Sequence, residues 1–467
     1  MPISPGAAAG HPATAEAAAE ILEDGGTAAD AAVAACLASC VAEVVMTGLA
    51  GGGHAIWVDG TTGRTSLLDF FVAVPGLGRE PGEVELVELA VPFGTELVHY
   101  AVGIGSCAVP GVPAGLDELW RHRGRLPWAR LCEPGRRLAS EGVALPPAHA
   151  ACLAMLSPVL TLREGSALFL RAGRLLAAGD RLVQPGLARA LELLAEEGAR
   201  SFYEGTLGEA LLALMEERGG QVTSADMSAY RASWSEPVEA RYCGRRLATR
   251  GGLAGLVPTL AAVPPLAGRT SGAQAVALAR ALLGPDGSGH TTNLCVVDGD
   301  GNACALTTSL GLGSGDYLRG FDLHLNSMLG EADLLVGNLE PGARMESMMA
   351  PLALFGDDGL EAVAGAAGGT RLRSALVQVL ARVVDLGLDA QTAVDEARLH
   401  PVARPDAGPL VHVEPGWEPD ALAALEDAGF ELRRWPERHH YFGGVSVLAR
   451  SGGAADPRRS GAVVAAR

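Results

Sequence analysis

The chain has 467 residues, 48% of them hydrophobic and 19% charged, with a formal net charge of -18. That apolar content is enough to bury a large core and excludes a disordered chain. The negative balance excludes nucleic acid and anionic membrane surfaces as partners, because both call for concentrated Lys and Arg; a small molecule is the expected partner.

The eight cysteines form no CxxC pair and have no His at metal-ligand spacing. Buried free thiols are therefore expected, with neither a metal nor a cofactor. The segment MPISPGAAAGHPATAEAAAE has no basic stretch leading into an apolar one, and no uninterrupted apolar run is long enough to span a bilayer. A cytoplasmic protein that makes no membrane contact is the expectation.

In chain order, residues 12–45 read as two helices split by Gly25 and Gly26. The second starts at Thr27 with Asp30 placed as its capping partner, and its Ala, Val and Leu content implies burial. TGLAGGGHAIWVDG then turns through glycines into a strand, with TSLLDFF as its partner across Asp59 and Gly60. From Pro113 to Tyr230 helical periodicity dominates, as in LARALELLAEEGA and LGEALLALMEERGG. A Gly- and Pro-rich stretch follows at 250–272, then the helix AQAVALARALL and the loop GPDGSGH, which reads as the main seam. Beyond it, TTNLCVVD and ACALTTSL flank Gly299-Asp300-Gly301-Asn302, and PLALF and LEAVAG flank Gly356-Asp357-Asp358-Gly359: two hairpins. The helix RLRSALVQVLARVVDLG comes next.

The informative junction is SGHTTNLCVVDGDGNACALTTSL, where a Gly-rich loop runs into a Thr that opens a buried strand. A hydroxyl so placed can attack the carbonyl before it, although Thr-Thr at a strand start is also ordinary β-propensity. This segment resembles the processing site of the γ-glutamyltranspeptidase family, whose members are N-terminal-nucleophile hydrolases. The likeness continues in order through HPATAEAAAEILEDGGTAADAAVAA, TGLAGGGHAIWVDG, AVPGVPAGLDELWRHRGRLPWARLCEPGRRLASEGV, RSFYEGTLGEAL, GGQVTSADMSAYRA, GAAGGTRLRSAL and DPRRSGA. It covers nearly the whole chain.

The resemblance implies an α+β fold, a four-layer αββα sandwich, and a precursor that cuts itself between His290 and Thr291. Residues 1–290 and 291–467 would then form a heterodimer that is one structural body. It further implies that Thr291 becomes the nucleophile with its own α-amine as base, and that the Gly368 and Gly369 amides receive the oxyanion. Ser309, eighteen residues after Thr291, stands where the family carries a supporting Thr.

The substrate clamp departs from the family. The Arg that grips a γ-glutamyl carboxylate is Phe71 here, Gly311 stands for an Asn, and Met348 replaces the second Ser of a pair, leaving Ser347. The family's amine-binding carboxylate is lost or displaced to Glu331 or Asp333, and Arg344 and Arg371 are the candidates for a relocated cation. The segment leading to Thr291 is shorter than in typical members. Three functions fit: a processed hydrolase of an amide or γ-glutamyl-type bond, a hydrolase of a C–C bond like homologues in 4-alkylproline antibiotic routes, and an unprocessed binding protein.

Overall fold

The computed structural model describes residues 2–80, 82, 84–93, 96–284, 291–404 and 407–466. Its centre is built from β1 (Gly6–Ala9), β2 (Gly52–Val58), β3 (Thr65–Phe70), β4 (Ser233–Ser235), β5 (Val238–Tyr242), β6 (Arg245–Thr249), β7 (Thr292–Val297), β8 (Ala303–Ser309), β9 (Leu352–Gly356), β10 (Gly359–Ala367), β11 (Gly444–Ala449), β12 (Gly452–Ala455) and β13 (Ala462–Ala465). These pair antiparallel in two sheets, ordered β4-β3-β2-β8-β7-β1-β13 and β5-β6-β9-β10-β11-β12. Each sheet mixes strands from both sides of position 290. The two expected hairpins are β7–β8, with Thr292 opposite Thr308, and β9–β10.

Side-chain alternation decides the layering, because successive residues of a strand point to opposite faces. In β7, Leu294 and Val296 pack with Val33, Leu37 and Val41 of the helix α2 (Ala28–Ala42), whose companion α1 (Pro12–Glu23) lies in the same cluster. Cys295 and Val297 point the other way, into a core shared with Ala353, Val363 and Leu448 of the second sheet. On that sheet's outer face, Ala364 and Val445 pack with Leu372, Leu376 and Leu380 of the helix α5 (Arg371–Val384). The result is helix, sheet, sheet, helix: the expected αββα sandwich.

Local sequence explains the elements that frame the centre. The Thr27 side chain accepts from the Asp30 N–H and the Asp30 side chain accepts from the Thr27 N–H, closing a capping box that starts α2. Every residue of α2 is buried, as its composition required. Helices dominate the stretch 112–229 as read, with two-residue strands between some of them, and it includes α3 (Pro147–Leu160). A helix over Ser271–Leu282, α4, precedes the seam. Gly51 lets β2 approach β8, since a Cβ there would collide with the Ser309 carbonyl.

One stretch gains an element and one reading changes. The Gly- and Pro-rich stretch holds a short helix, Leu256–Ala262, because Pro258 sits in its first turn, where a missing N–H does no harm. Seven cysteines are buried free thiols, but Cys243 is exposed, carried on a turn residue with φ 45°. No three His, Cys, Asp or Glu among the described residues could hold a metal ion, and no described helix is long and apolar enough to cross a membrane.

Candidate active site

Thr291 is the residue before β7, and only 5% of it is exposed. His290 and the peptide bond into Thr291 lie outside the described residues. Thr291 lines a cleft of about 320 Å³ together with Ser309 and Gly369. Each arrives from a different element. Ser309 ends β8 beside β7, and its Oγ accepts from the Gly311 N–H at 2.9 Å. Gly368 and Gly369 make the turn from β10 into α5 with φ of 127° and 58°, conformations that side chains resist. Gly369 thus stands in the cleft wall at the N-terminal end of α5, where the backbone carries partial positive charge. Gly368 adjoins it, against the Gly443 backbone.

Much of the remaining wall is apolar, with Phe71, Met328, Leu334 and Met348 among its side chains. Phe71 stacks on His54 at 5.6 Å and 27° between planes. Burial, and then Arg250 and Arg344, keep the His54 pKa well below its ordinary value, so the ring stacked on Phe71 is neutral. Ser347 is buried in the same wall, and its Oγ accepts from the Met349 N–H at 3.2 Å.

Of the two displaced carboxylates, the structure brings Glu331 into the cleft. It is 4% exposed, and its Oε1 has no hydrogen-bond partner among the described residues. Burial, and then the neighbouring Asp333, push its carboxyl up to about 8. Gly311 is not in the wall but behind it. With φ 69°, a Cβ at Gly311 would collide with Glu331 Oε1 and crowd Ser327 Oγ. The space of the expected Asn side chain is occupied by the glutamate. Asp333 lies in an adjoining cleft of about 590 Å³ with Thr370 and Arg373, joined to the first through Met348 and Gly369.

Neither candidate cation reaches the cleft wall. Arg344 is spent on backbone oxygens of Phe71 and Arg231, lies 3.5 Å from Asp69 and sits over the Tyr230 ring. Arg371 is buried with its guanidinium 5.1 Å from the Tyr441 ring centre. The sequence reading missed Glu43, which is 2% exposed and accepts from Thr292, the neighbour of Thr291. A lone acid in the apolar run Cys40-Val41-Ala42-Glu43-Val44-Val45 was the available signal.

Comparison with known proteins agrees with this fold. The chain is 28% identical over 487 residues to the glutathione hydrolase proenzyme of Escherichia coli, covering 88% of this chain and 82% of that one. It is 28% identical over 512 residues to the acylase ACY 1 proenzyme of Pseudomonas sp. strain V22, covering 94% and 88%. Cephalosporin acylase from Bacillus halodurans shares the fold with a TM-score of 0.81 at 24% identity, over 99% of this chain and 96% of that one. LmbA2991HD does so with a TM-score of 0.79 at 22% identity, over 99% and 98%. The gamma-glutamyltranspeptidase family model matches residues 14–263 and 266–466, and the chain therefore belongs to that family of enzymes.

Proposed function

We propose that the chain is a self-processing hydrolase in which Thr291 is first the cleavage residue and then the nucleophile for an amide bond in a small molecule. The convergence of Thr291, Ser309 and Gly369 on one buried cleft carries this reading. Cleavage after His290 frees the Thr291 α-amine, whose ordinary pKa of about 7.7–8.0 leaves it partly neutral near pH 7. It takes the hydroxyl proton as Oγ attacks the substrate carbonyl. The Gly368 and Gly369 amides receive the oxyanion, and the Ser309 hydroxyl supports the nucleophile. The C–N bond breaks, the amine leaves with the proton, and water or an acceptor amine resolves the ester. Fragments 1–290 and 291–467 remain a heterodimer, because separating them would split both sheets.

The altered clamp selects an acyl group without a carboxylate at the usual place. Phe71 and Met348 favour an apolar body, and the Glu331 carboxyl in the same wall fits an N–H group on it. Proenzyme relatives and the retained Thr291 support the processing step.

Intact mass spectrometry of wild type beside Thr291→Ala tests the reading. Wild type is expected as two fragments divided at Thr291, and the variant as one chain. A wild-type chain that persists at full length would instead favour an unprocessed binding protein. Incubation with γ-glutamyl anilide should release aniline slowly, and an acyl anilide with an amine but no carboxylate should release it faster.

A further inference from the structure

Thr291 also lines a second cavity, of about 300 Å³, bounded by Thr292, Glu43, His149, Asp456 and Arg459. Its wall carries more charged and hydrogen-bonding side chains than the first, and it is roomy enough for ordered water. Glu43 caps the C-terminal end of α2, and its two carboxyl oxygens are taken by hydroxyls from two different elements. Thr14 of α1 donates to Oε1 at 2.8 Å, and Thr292 at the start of β7 donates to Oε2. Gly10, between β1 and α1, keeps the second contact possible: a Cβ there would collide with Glu43 Oε2 and meet Thr292 Oγ1 at 3.0 Å.

The surroundings single out Glu43 as the group that changes state near neutral pH. Burial pushes its carboxyl up to about 7, against the two hydroxyls and the attraction of Arg459. Burial lowers His149 of α3 to about 3 and His11, at the start of α1, to about 4. Cys40 of α2 is raised by its Cys36 hydrogen bond and by burial, and Cys152 of α3 by burial to about 11. Asp456 is held low by Arg398 and Arg458 although burial opposes them. Arg459, itself lowered by burial, is the cation of the cavity, with Arg371 behind it. The histidines thus titrate below, and the thiols above, the range in which Glu43 does.

A carboxylate accepts from both threonines at once. Once protonated, it is a weaker acceptor, and the threonine hydroxyl that meets its O–H must reverse its hydrogen bond or give it up. Thr292 is bonded to Thr291, so a weaker hold on its hydroxyl loosens the reacting end of β7. We propose that Glu43 is a positioning residue for self-cleavage: ionised, it holds the Thr292 hydroxyl and so fixes the backbone of Thr291 for attack on the preceding carbonyl. Glu43 itself exchanges no proton with the reacting atoms. The Thr291 hydroxyl adds to the carbonyl, the C–N bond breaks, and the hydroxyl proton passes to the freed amine. Water then cleaves the ester to a carboxylic acid and the free hydroxyl. The inference rests on the reading of Thr291 as the processing residue.

Self-cleavage can be timed without a substrate. The full-length chain is made by cell-free translation with labelled methionine and diluted into buffers from about pH 5.5 to about 9, and the two fragments are followed on a denaturing gel. The precursor has no free amine on Thr291, so that group adds no pH dependence. Wild type is expected to slow about tenfold per pH unit below a midpoint of about 7. Glu43→Gln should cleave at least about tenfold more slowly at high pH and lose the limb. Glu43→Asp should keep it. Thr292→Ser should keep the wild-type profile, and Thr292→Val should follow Glu43→Gln. A Glu43→Gln chain that melts like wild type and keeps the limb overturns the proposal. If that chain does not fold, Thr292→Val decides: an intact limb there overturns it equally. A wild-type chain that never cleaves defeats the processing reading itself, and the role of Glu43 with it.

Discussion

Thr291 stands between two cavities, each with one buried glutamate, and the fold treats the two carboxyls in opposite ways. Behind Thr291, both oxygens of Glu43 are engaged by threonine hydroxyls, with Arg459 near enough to attract. In front, Glu331 has an oxygen with no partner among the described residues and only Asp333 as a charged influence, which repels. An unpaired buried polar atom costs about 1–3 kcal/mol, so a fold that satisfies one glutamate and leaves the other open distinguishes structure from recognition. On the proposed reading, the rear cavity holds the reacting strand and the front cleft receives the ligand.

The comparison is broken most sharply at the residue between the cavities. Thr291→Ala leaves both glutamates in place and removes the hydroxyl. Turnover of an acyl anilide is expected to fall by at least about 10⁴-fold, as when other nucleophiles are deleted. Aniline release within tenfold of wild type would mean that neither cavity serves this residue.

The front half is sharpened by Gly311→Asn, which restores the family's residue. The new side chain meets Glu331 Oε1 and Ser327 Oγ at a backbone φ of 69°. Overpacking and strain together should cost about 2–3 kcal/mol in denaturant unfolding. Adding Glu331→Ala should recover part of that loss, because the two changes share one space. Purely additive effects would show that Glu331 does not occupy the Asn position.

Glu331→Gln tests the same contrast through pH. The native carboxyl titrates at about 8, against an ordinary value of 4.5. Below the ordinary value both folded and unfolded chains are protonated, and the stabilisation from the neutral acid is fully present. As pH rises toward about 8 the unfolded chain has already lost its proton, so stability falls by a few kcal/mol across this window and is lost above it. The Gln variant should lose that slope, seen as thermal midpoints that converge with wild type at low pH and exceed it at high pH. Glu43 adds a similar, narrower slope ending at about 7. A wild-type slope unchanged by Glu331→Gln would place the titration elsewhere.

How much of this was legible in the sequence depends on whether a feature is local. The capping box at Thr27 and Asp30, the turn at Gly299 to Asn302 and the apolar run of α2 are each set by neighbours in sequence, and each forms as read. The order of matching segments places Thr291, Ser309 and Gly369 in one family pattern, and the structure sets all three in one cleft. The pairing of Glu43 with Thr292, 249 positions apart, has no local cue beyond an acid among apolar residues. Likewise Gly311 and Glu331 explain each other only in space. The loss of an Asn and the shift of a carboxylate read as two separate erosions in the sequence, whereas in the structure one fills the room left by the other. Arg344 and Arg371 stand outside the cleft wall for the same reason: two backbone carbonyls engage the first and the Tyr441 ring lies against the second, partners that sequence cannot position.

The smallest effect is expected at Met348, which lines both the Thr291 cleft and the adjoining one that contains Arg373. Met348→Ser restores the second serine of the family's pair and removes an apolar, half-buried side chain from the wall. Because the residue touches the body of the ligand rather than the reacting carbonyl, its contact should be equally strong in the ground and transition states. Losing it should raise KM about fivefold for an apolar acyl anilide, roughly 1 kcal/mol, and leave kcat unchanged. For a γ-glutamyl anilide, which gains a hydroxyl near its polar end, KM should fall or hold. A drop in kcat with KM unchanged would instead assign Met348 to holding the carbonyl against Thr291. The apolar front would then be part of the reacting geometry and not only of recognition.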